Sequence, residues 1–154
     1  LFIILIVAIC LLILADQLIK LWVAASIPLG ATHELIPNVI SLTNLRNSGA
    51  AWSILEGQQW FFTLVTIIAI GTLGYFFWRY RNDRDNRGYE IGLAFMLAGT
   101  FGNFIDRVHN GYVIDMFQLD FINFPIFNFA DLCLTVGVII ILITIIRDDQ
   151  AEKF

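Results

Sequence analysis

The sequence predicts a mainly α membrane protein, with four transmembrane helices, both termini cytoplasmic and a small extracytoplasmic part containing β structure. Three observations predict it. The 154 residues are 58% hydrophobic and only 14% charged, against the roughly 25% charged usage of soluble domains. Four apolar runs approach the about 20 residues needed to cross a hydrocarbon layer of about 30 Å. Finally, the short segment between the second and third runs holds Arg79, Arg81, Arg84 and Arg87. Clustered basic residues in a short loop mark the cytoplasmic side, and acidic neighbours count for little.

The first run, residues 1–23, begins like the core of a signal peptide. Three more runs follow it, however, and Asp16-Gln17-Leu18-Ile19-Lys20 is not a small-residue cleavage site. It is therefore read as the first span, with its cytoplasmic leader lying outside this sequence. The second span, residues 59–78, is free of charge from Trp60 to Trp78 and carries a tryptophan at each end, where interfacial aromatic belts form. The third and fourth spans cover 89–106 and 126–146, apolar except near their ends. With the arginine loop inside, the connections 24–58 and 108–125 face outward. Pro28, Gly30, Pro37 and Gly49 break up the first of these. Within it, Val39 to Leu45 alternates β-formers with Ser41, Thr43 and Asn44, predicting a short strand or hairpin at the membrane surface. There is no internal repeat, and residues 1–154 are read as a single membrane-embedded domain.

The net charge of −4 is spread along the chain without a basic stripe, which leaves nucleic acid no electrostatic footprint. Cys10 and Cys133 lie inside apolar runs and read as small buried hydrophobes. His33 and His109 lack the spacing of a zinc site, so no metal is expected.

Ionisable residues within or at the edge of membrane spans are costly and are functional candidates for that reason. The predicted topology brings Asp16, Asp106, Asp115 and Asp131 to one face of the bilayer. Two carboxylates held close in a poorly hydrated site cannot both ionise cheaply, and they share a proton. One then activates water while the other polarises an amide carbonyl. Sequence position does not choose which two of the four converge. Asp115 and Asp131 are separated by Pro125 and cannot share one continuous helix face.

Five motifs run in order along nearly the whole chain: Asp16-Gln17 with Lys20, Asn47-Ser48-Gly49-Ala50-Ala51-Trp52-Ser53, Gly102-Asn103-Phe104-Ile105-Asp106-Arg107, Val113-Ile114-Asp115 and Phe127-Asn128-Phe129-Ala130-Asp131. Together they resemble bacterial lipoprotein signal peptidase, also called signal peptidase II. Trp52, where phenylalanine is more usual, and Ile19, where a small hydroxyl residue is common, are mild departures.

The resemblance implies a membrane aspartic endopeptidase of the bacterial cytoplasmic membrane with its site near the extracytoplasmic face. It would cleave diacylglyceryl-modified prolipoproteins on the N-terminal side of the lipid-modified cysteine and act as a monomer among membrane lipids, without a cofactor. The catalytic pair carries over onto Asp115 and Asp131. Asn47, Gly49, Asn103, Arg107, Asn128 and Ala130 fall on positions that line or brace the site. Asp16 and Lys20, four apart, are expected to brace the first span as an ion pair. Asp106, adjoining Arg107 at a helix end, is expected to be a paired structural group. Asn128 either caps the fourth helix or donates a hydrogen bond into the dyad. Arg46 and Arg107 are either substrate-carbonyl ligands or outer-face anchors.

Two rivals use the same residues differently. A Ser/Lys peptidase would need Ser48 or Ser53 with Lys20 as base, but Asp16 one turn away holds that lysine charged. A transporter or proton relay would use the intramembrane carboxylates, which fits poorly with four spans, no repeat and a bulky outer loop.

Overall fold

The apolar runs form helices because a backbone in hydrocarbon must satisfy its own N–H and C=O groups, which a helix does within one segment. In the computed structural model, which describes residues 1–49, 58–81 and 87–151, these are α1 (Phe2–Ser26), α2 (Gln59–Tyr80), α3 (Arg87–Asn110) and α4 (Phe129–Ala151). Among the described residues three helices, α1, α2 and α4, are long and apolar enough to cross a membrane. By this measure α3, the expected third span, has the length but not the apolarity. It packs against each of the other three helices and buries Glu90, Thr100, Asn103 and Asp106, so its polar residues face protein.

The burial pattern is inverted relative to a soluble fold. On α1 the charged Asp16 and Lys20 are each 1% exposed while Ile3 is 75% exposed. Small residues let α3 and α4 approach closely. A Cβ on Gly92 would come within 2.9 Å of the Gly137 carbonyl, and one on Gly137 within 2.6 Å of the Gly92 carbonyl. One on Gly99 would meet the Ala130 carbonyl at 2.3 Å. This contact fixes the first turn of α4 against α3.

The connection after α1 folds into a hairpin, β1 (Thr32–Ile36) and β2 (Ile40–Asn47), and the connection after α3 adds β3 (Val113–Leu119). The result is an antiparallel sheet in the order β1-β2-β3. Pro37 and Asn38 make the hairpin turn, Asn38 at φ 60°, with the Val39 N–H donating to the Ile36 carbonyl at 3.0 Å. Asparagine tolerates this left-handed conformation better than most residues. The predicted strand at Val39 to Leu45 is thus the core of β2. The third strand was not expected, and the second connection is shifted, because α3 runs on to Asn110 and α4 begins at Phe129.

The sheet is seated on the end of α1. Val23 and Ile27 pack with Leu42, Ile114 and Met116, and the Asn44 side chain donates to the Ile27 carbonyl at 2.7 Å. Between Leu42 and Leu45 the pairing with β3 shifts by one residue. A bulge of this kind re-aims the side chains beyond it, and here those include Asn47.

Candidate active site

Asp115 lies in β3, 2% exposed, and Asp131 is partly buried in the first turn of α4. Both line a cavity of about 500 Å³ together with Asn47, Gly49, Asn103, Arg107 and Asn128, under apolar walls that include Leu119, Phe124 and Phe127. Two elements separated by Pro125 therefore do meet through the fold.

Three asparagines hold the pair, and each amide is oriented by a group that can only donate. The Gly49 N–H donates to Asn47 Oδ1 at 3.0 Å, which turns Asn47 Nδ2 toward Asp115 Oδ2 at 2.8 Å. The Asp131 N–H donates to Asn128 Oδ1 at 3.0 Å, which turns Asn128 Nδ2 toward Asp115 Oδ1 at 2.7 Å and Asn103 Oδ1 at 3.0 Å. The Lys20 ammonium donates to Asn103 Oδ1 at 3.1 Å, which turns Asn103 Nδ2 toward Asp131 Oδ1 at 2.8 Å. A continuous chain of amides, Asn128 then Asn103, thus links one carboxylate to the other.

Asn128 fills both roles left open by the sequence. It is the N-cap of α4, and its own N–H donates to Asp131 Oδ2 at 3.1 Å. With the reverse bond from the Asp131 N–H this makes a reciprocal capping box. The cap position and the bridge to Asp115 are one side chain, 0% exposed.

Beneath the dyad lies a second, fully buried cluster. Lys20 Nζ is 2.9 Å from Asp16 Oδ2 and 3.0 Å from Asp106 Oδ2. The expected Asp16–Lys20 pair is present, and the partner of Asp106 is Lys20. Asp16 also accepts the Ala130 N–H at 2.9 Å, an anion set at the positive end of α4. Asp106 accepts the Ile114 N–H at 3.1 Å, which ties α3 to β3 one residue before Asp115. Gln17, absent from the predicted site, donates from Nε2 to Asp16, Asp106 and the Gly102 carbonyl at 3.1, 3.1 and 3.2 Å. Its position between Asp16 and Lys20 in the first motif was the available signal.

Lys20 is committed to two carboxylates, so the base that a Ser/Lys peptidase needs is not available. Ser53, like Ala50, Ala51 and Trp52 of the second motif, lies outside the described residues, as does Arg84. Of the two arginines, Arg107 lines the cavity with its guanidinium 5.5 Å from the centre of the Phe62 ring, while Arg46 stacks over Tyr112 at 4.8 Å.

Burial pushes the Asp115 carboxyl up to about 6, and the nearby Asp131 charge adds to this. The bonds from Asn47 and Asn128 and the Lys20 charge oppose it. Burial thus favours the protonated form of Asp115, and the more exposed Asp131 lines the same cavity.

The sequence profile of the family described as Signal peptidase (SPase) II matches residues 8–147. The chain belongs to the signal peptidase II family. Curated lipoprotein signal peptidases are similar over most of its length. The protein from Lactiplantibacillus plantarum is 58% identical over 142 residues, covering 92% of this chain and 93% of the relative. That from Enterococcus faecalis is 51% identical over 138 residues, covering 90% and 84%. A solved bacterial membrane enzyme superposes with a TM-score of 0.86 at 36% identity, covering 96% of this chain and 90% of the other. Membership in signal peptidase II agrees with the resemblance carried by the five motifs.

Proposed function

We propose that this signal peptidase II chain is an aspartic endopeptidase in which Asp115 and Asp131 divide the work of amide hydrolysis. The family's role is to cleave signal peptides from prolipoproteins, and prolipoprotein is the substrate. The observation that carries the catalytic assignment is the convergence of two carboxylates from different elements on one cavity, each held by oriented amides.

Asp131, ionised, takes a proton from water as the water oxygen bonds to the scissile carbonyl carbon. Protonated Asp115 donates to the carbonyl oxygen, giving a neutral tetrahedral diol. Collapse returns the Asp115 proton, breaks the C–N bond and passes the Asp131 proton to the leaving nitrogen, that of the lipid-modified cysteine. The dyad ends in its starting state. Asn47, Asn103 and Asn128 keep the carboxylates fixed through the cycle. Gly49, Ala130, Asp16, Lys20, Asp106 and Arg107 support or line the site.

The same reading makes α3 a membrane span as well, the third of four. Its polar side chains face the bundle, which is where membrane proteins tolerate them. Both termini are then cytoplasmic, and the sheet with the dyad stands at the extracytoplasmic face of the bacterial cytoplasmic membrane, in a single-domain monomer. A second cavity of about 650 Å³, lined by Val65, Ile68, Ala69, Leu73, Met96 and Leu134, shares Asn103, Arg107 and Asp131 with the first. It gives the apolar part of the substrate a path to the dyad from between the helices.

The test is incubation of the purified chain with a diacylglyceryl-modified prolipoprotein, followed by mass spectrometry of the products. Release of the signal peptide with a new N-terminus at the modified cysteine is expected. Cleavage elsewhere, or none, would overturn the substrate assignment.

A further inference from the structure

The end of the sheet farthest from α1 carries an apolar tip that the catalytic account does not use. Leu35, Ile36, Val39, Phe121 and Ile122 are 44–61% exposed. They come from the hairpin turn and from the segment following β3. The Asp120 N–H joins the two by donating to the Val39 carbonyl at 3.1 Å, beside the turn bond from Val39 to Ile36.

We infer that this tip is an anchor that inserts into the lipid–water interface beside the active site. Three observations favour lipid as the occupant. Successive residues on a strand point to opposite faces, yet Leu35 and Ile36 are both 54% exposed. A tip that docked on a flat protein surface would cover only one face, whereas immersion covers both. Of the two exposed carboxylates beside the tip, Glu34 precedes Leu35 on β1, and Asp120 is engaged within the sheet, accepting from Ser41 Oγ at 2.7 Å and from Gln118 Nε2 at 3.3 Å.

The area is small. Five large apolar side chains, roughly half bare, form a patch on the order of 300–600 Å², below the about 800 Å² that each partner of a stable protein pair buries. The span on which the sheet is seated also carries a lipid-facing surface near the sheet. Leu18, Leu21 and Trp22 of α1 and Leu29 beyond it are 55–64% exposed. Apolar side chains of this kind sink about 5–10 Å into the headgroup boundary. Such an anchor would hold β3, and Asp115 with it, at a fixed depth relative to the bilayer.

The inference rests on α1 and α4 being membrane spans but not on the identity of the catalytic pair. The full chain with Cys10→Ala, its buried Cys133 retained, receives Ile36→Cys or Phe121→Cys and a nitroxide label. Each is reconstituted in phosphatidylcholine/phosphatidylglycerol liposomes. Relaxation by oxygen and by a water-soluble nickel chelate is compared with a Leu11→Cys label on α1 and with free label in buffer. Both tip positions are expected to favour oxygen over the chelate relative to free label, and to do so less than the deeper Leu11 position, as a label a few ångströms below the headgroups would. A ratio equal to that of free label at both positions would overturn the anchor. So would exclusion of both reagents, which would mean that a second copy or another protein covers the tip. Prolipoprotein cleavage by the labelled chains, measured alongside, separates failure of the anchor from failure of the catalytic reading.

Discussion

Asn128→Ser separates the two functions that one side chain combines. Serine is as good an N-cap as asparagine and can still accept the Asp131 N–H, so α4 keeps its start. It cannot reach Asp115, so the 2.7 Å bond from Asn128 Nδ2 is lost together with the 3.0 Å link to Asn103. A hydrogen bond to a charged group contributes about 1.5–3 kcal/mol. If it acts fully in the transition state, kcat/KM falls by roughly 10- to 150-fold, while the thermal midpoint moves by only a few degrees. There is also a signature in pH. The Asn128 bond is one of the contacts that hold the Asp115 carboxyl down, so its loss moves the alkaline limb of kcat/KM to higher pH. The assay is initial-rate cleavage of a fluorescent prolipoprotein in detergent across pH 4 to 9, beside Asn128→Ala as the variant that loses the cap as well. A Ser variant with wild-type activity and an unmoved limb would refute the bridging role.

Further outcomes follow from the same geometry. Lys20→Met leaves Asp16 and Asp106 as buried carboxylates without a counter-charge, and by analogy with broken buried pairs should cost roughly 3–5 kcal/mol, read as loss of folded protein in a denaturant titration. Gly99→Ala forces a Cβ toward the Ala130 carbonyl, 2.3 Å away, and should displace Asp131 and cut kcat. Gly71→Ala in α2, where a Cβ meets nothing within 4 Å, should instead stabilise by about 0.5–1 kcal/mol. In the wild type, raising the Asp115 carboxyl from 3.8 to about 6 means that its contribution to stability is full below 3.8 and is lost as pH rises through 6. That amounts to roughly 3 kcal/mol, and it should disappear from the stability–pH profile in Asp115→Asn.

The parts of the fold that lipid dictates are legible in the sequence. Apolar length located α1, α2 and α4 to within a few residues. The acidic residues that oppose that apolarity stood out as candidates. α3 was read as a span of the same kind as the others, yet its glycines and buried polar groups answer to three neighbouring helices rather than to lipid. β3 was missed because Val113, Ile114, Asp115 and Met116 are all buried, between the α1 end of the core on one side and the site on the other. A strand buried on both faces shows no alternation, and an aspartate in its middle reads as loop.

The partner of Asp106 was out of reach for a different reason. Adjacent residues on a helix point in different directions, and the cation that meets Asp106 lies 86 positions away at Lys20. The dual role of Asn128 was half visible, since Asn128 followed three residues later by Asp131 resembles a capping box. Only the position of β3 adds the second bond.

The measurement that bears most directly on the central claim is the single-turnover rate of signal-peptide release by Asp131→Asn beside wild type. Both proteins would be shown to share the same circular dichroism spectrum and melting behaviour. The two-carboxylate account predicts that release falls to background, because an amide cannot take the proton from water. A folded Asp131→Asn protein that cleaves at the wild-type rate would contradict it.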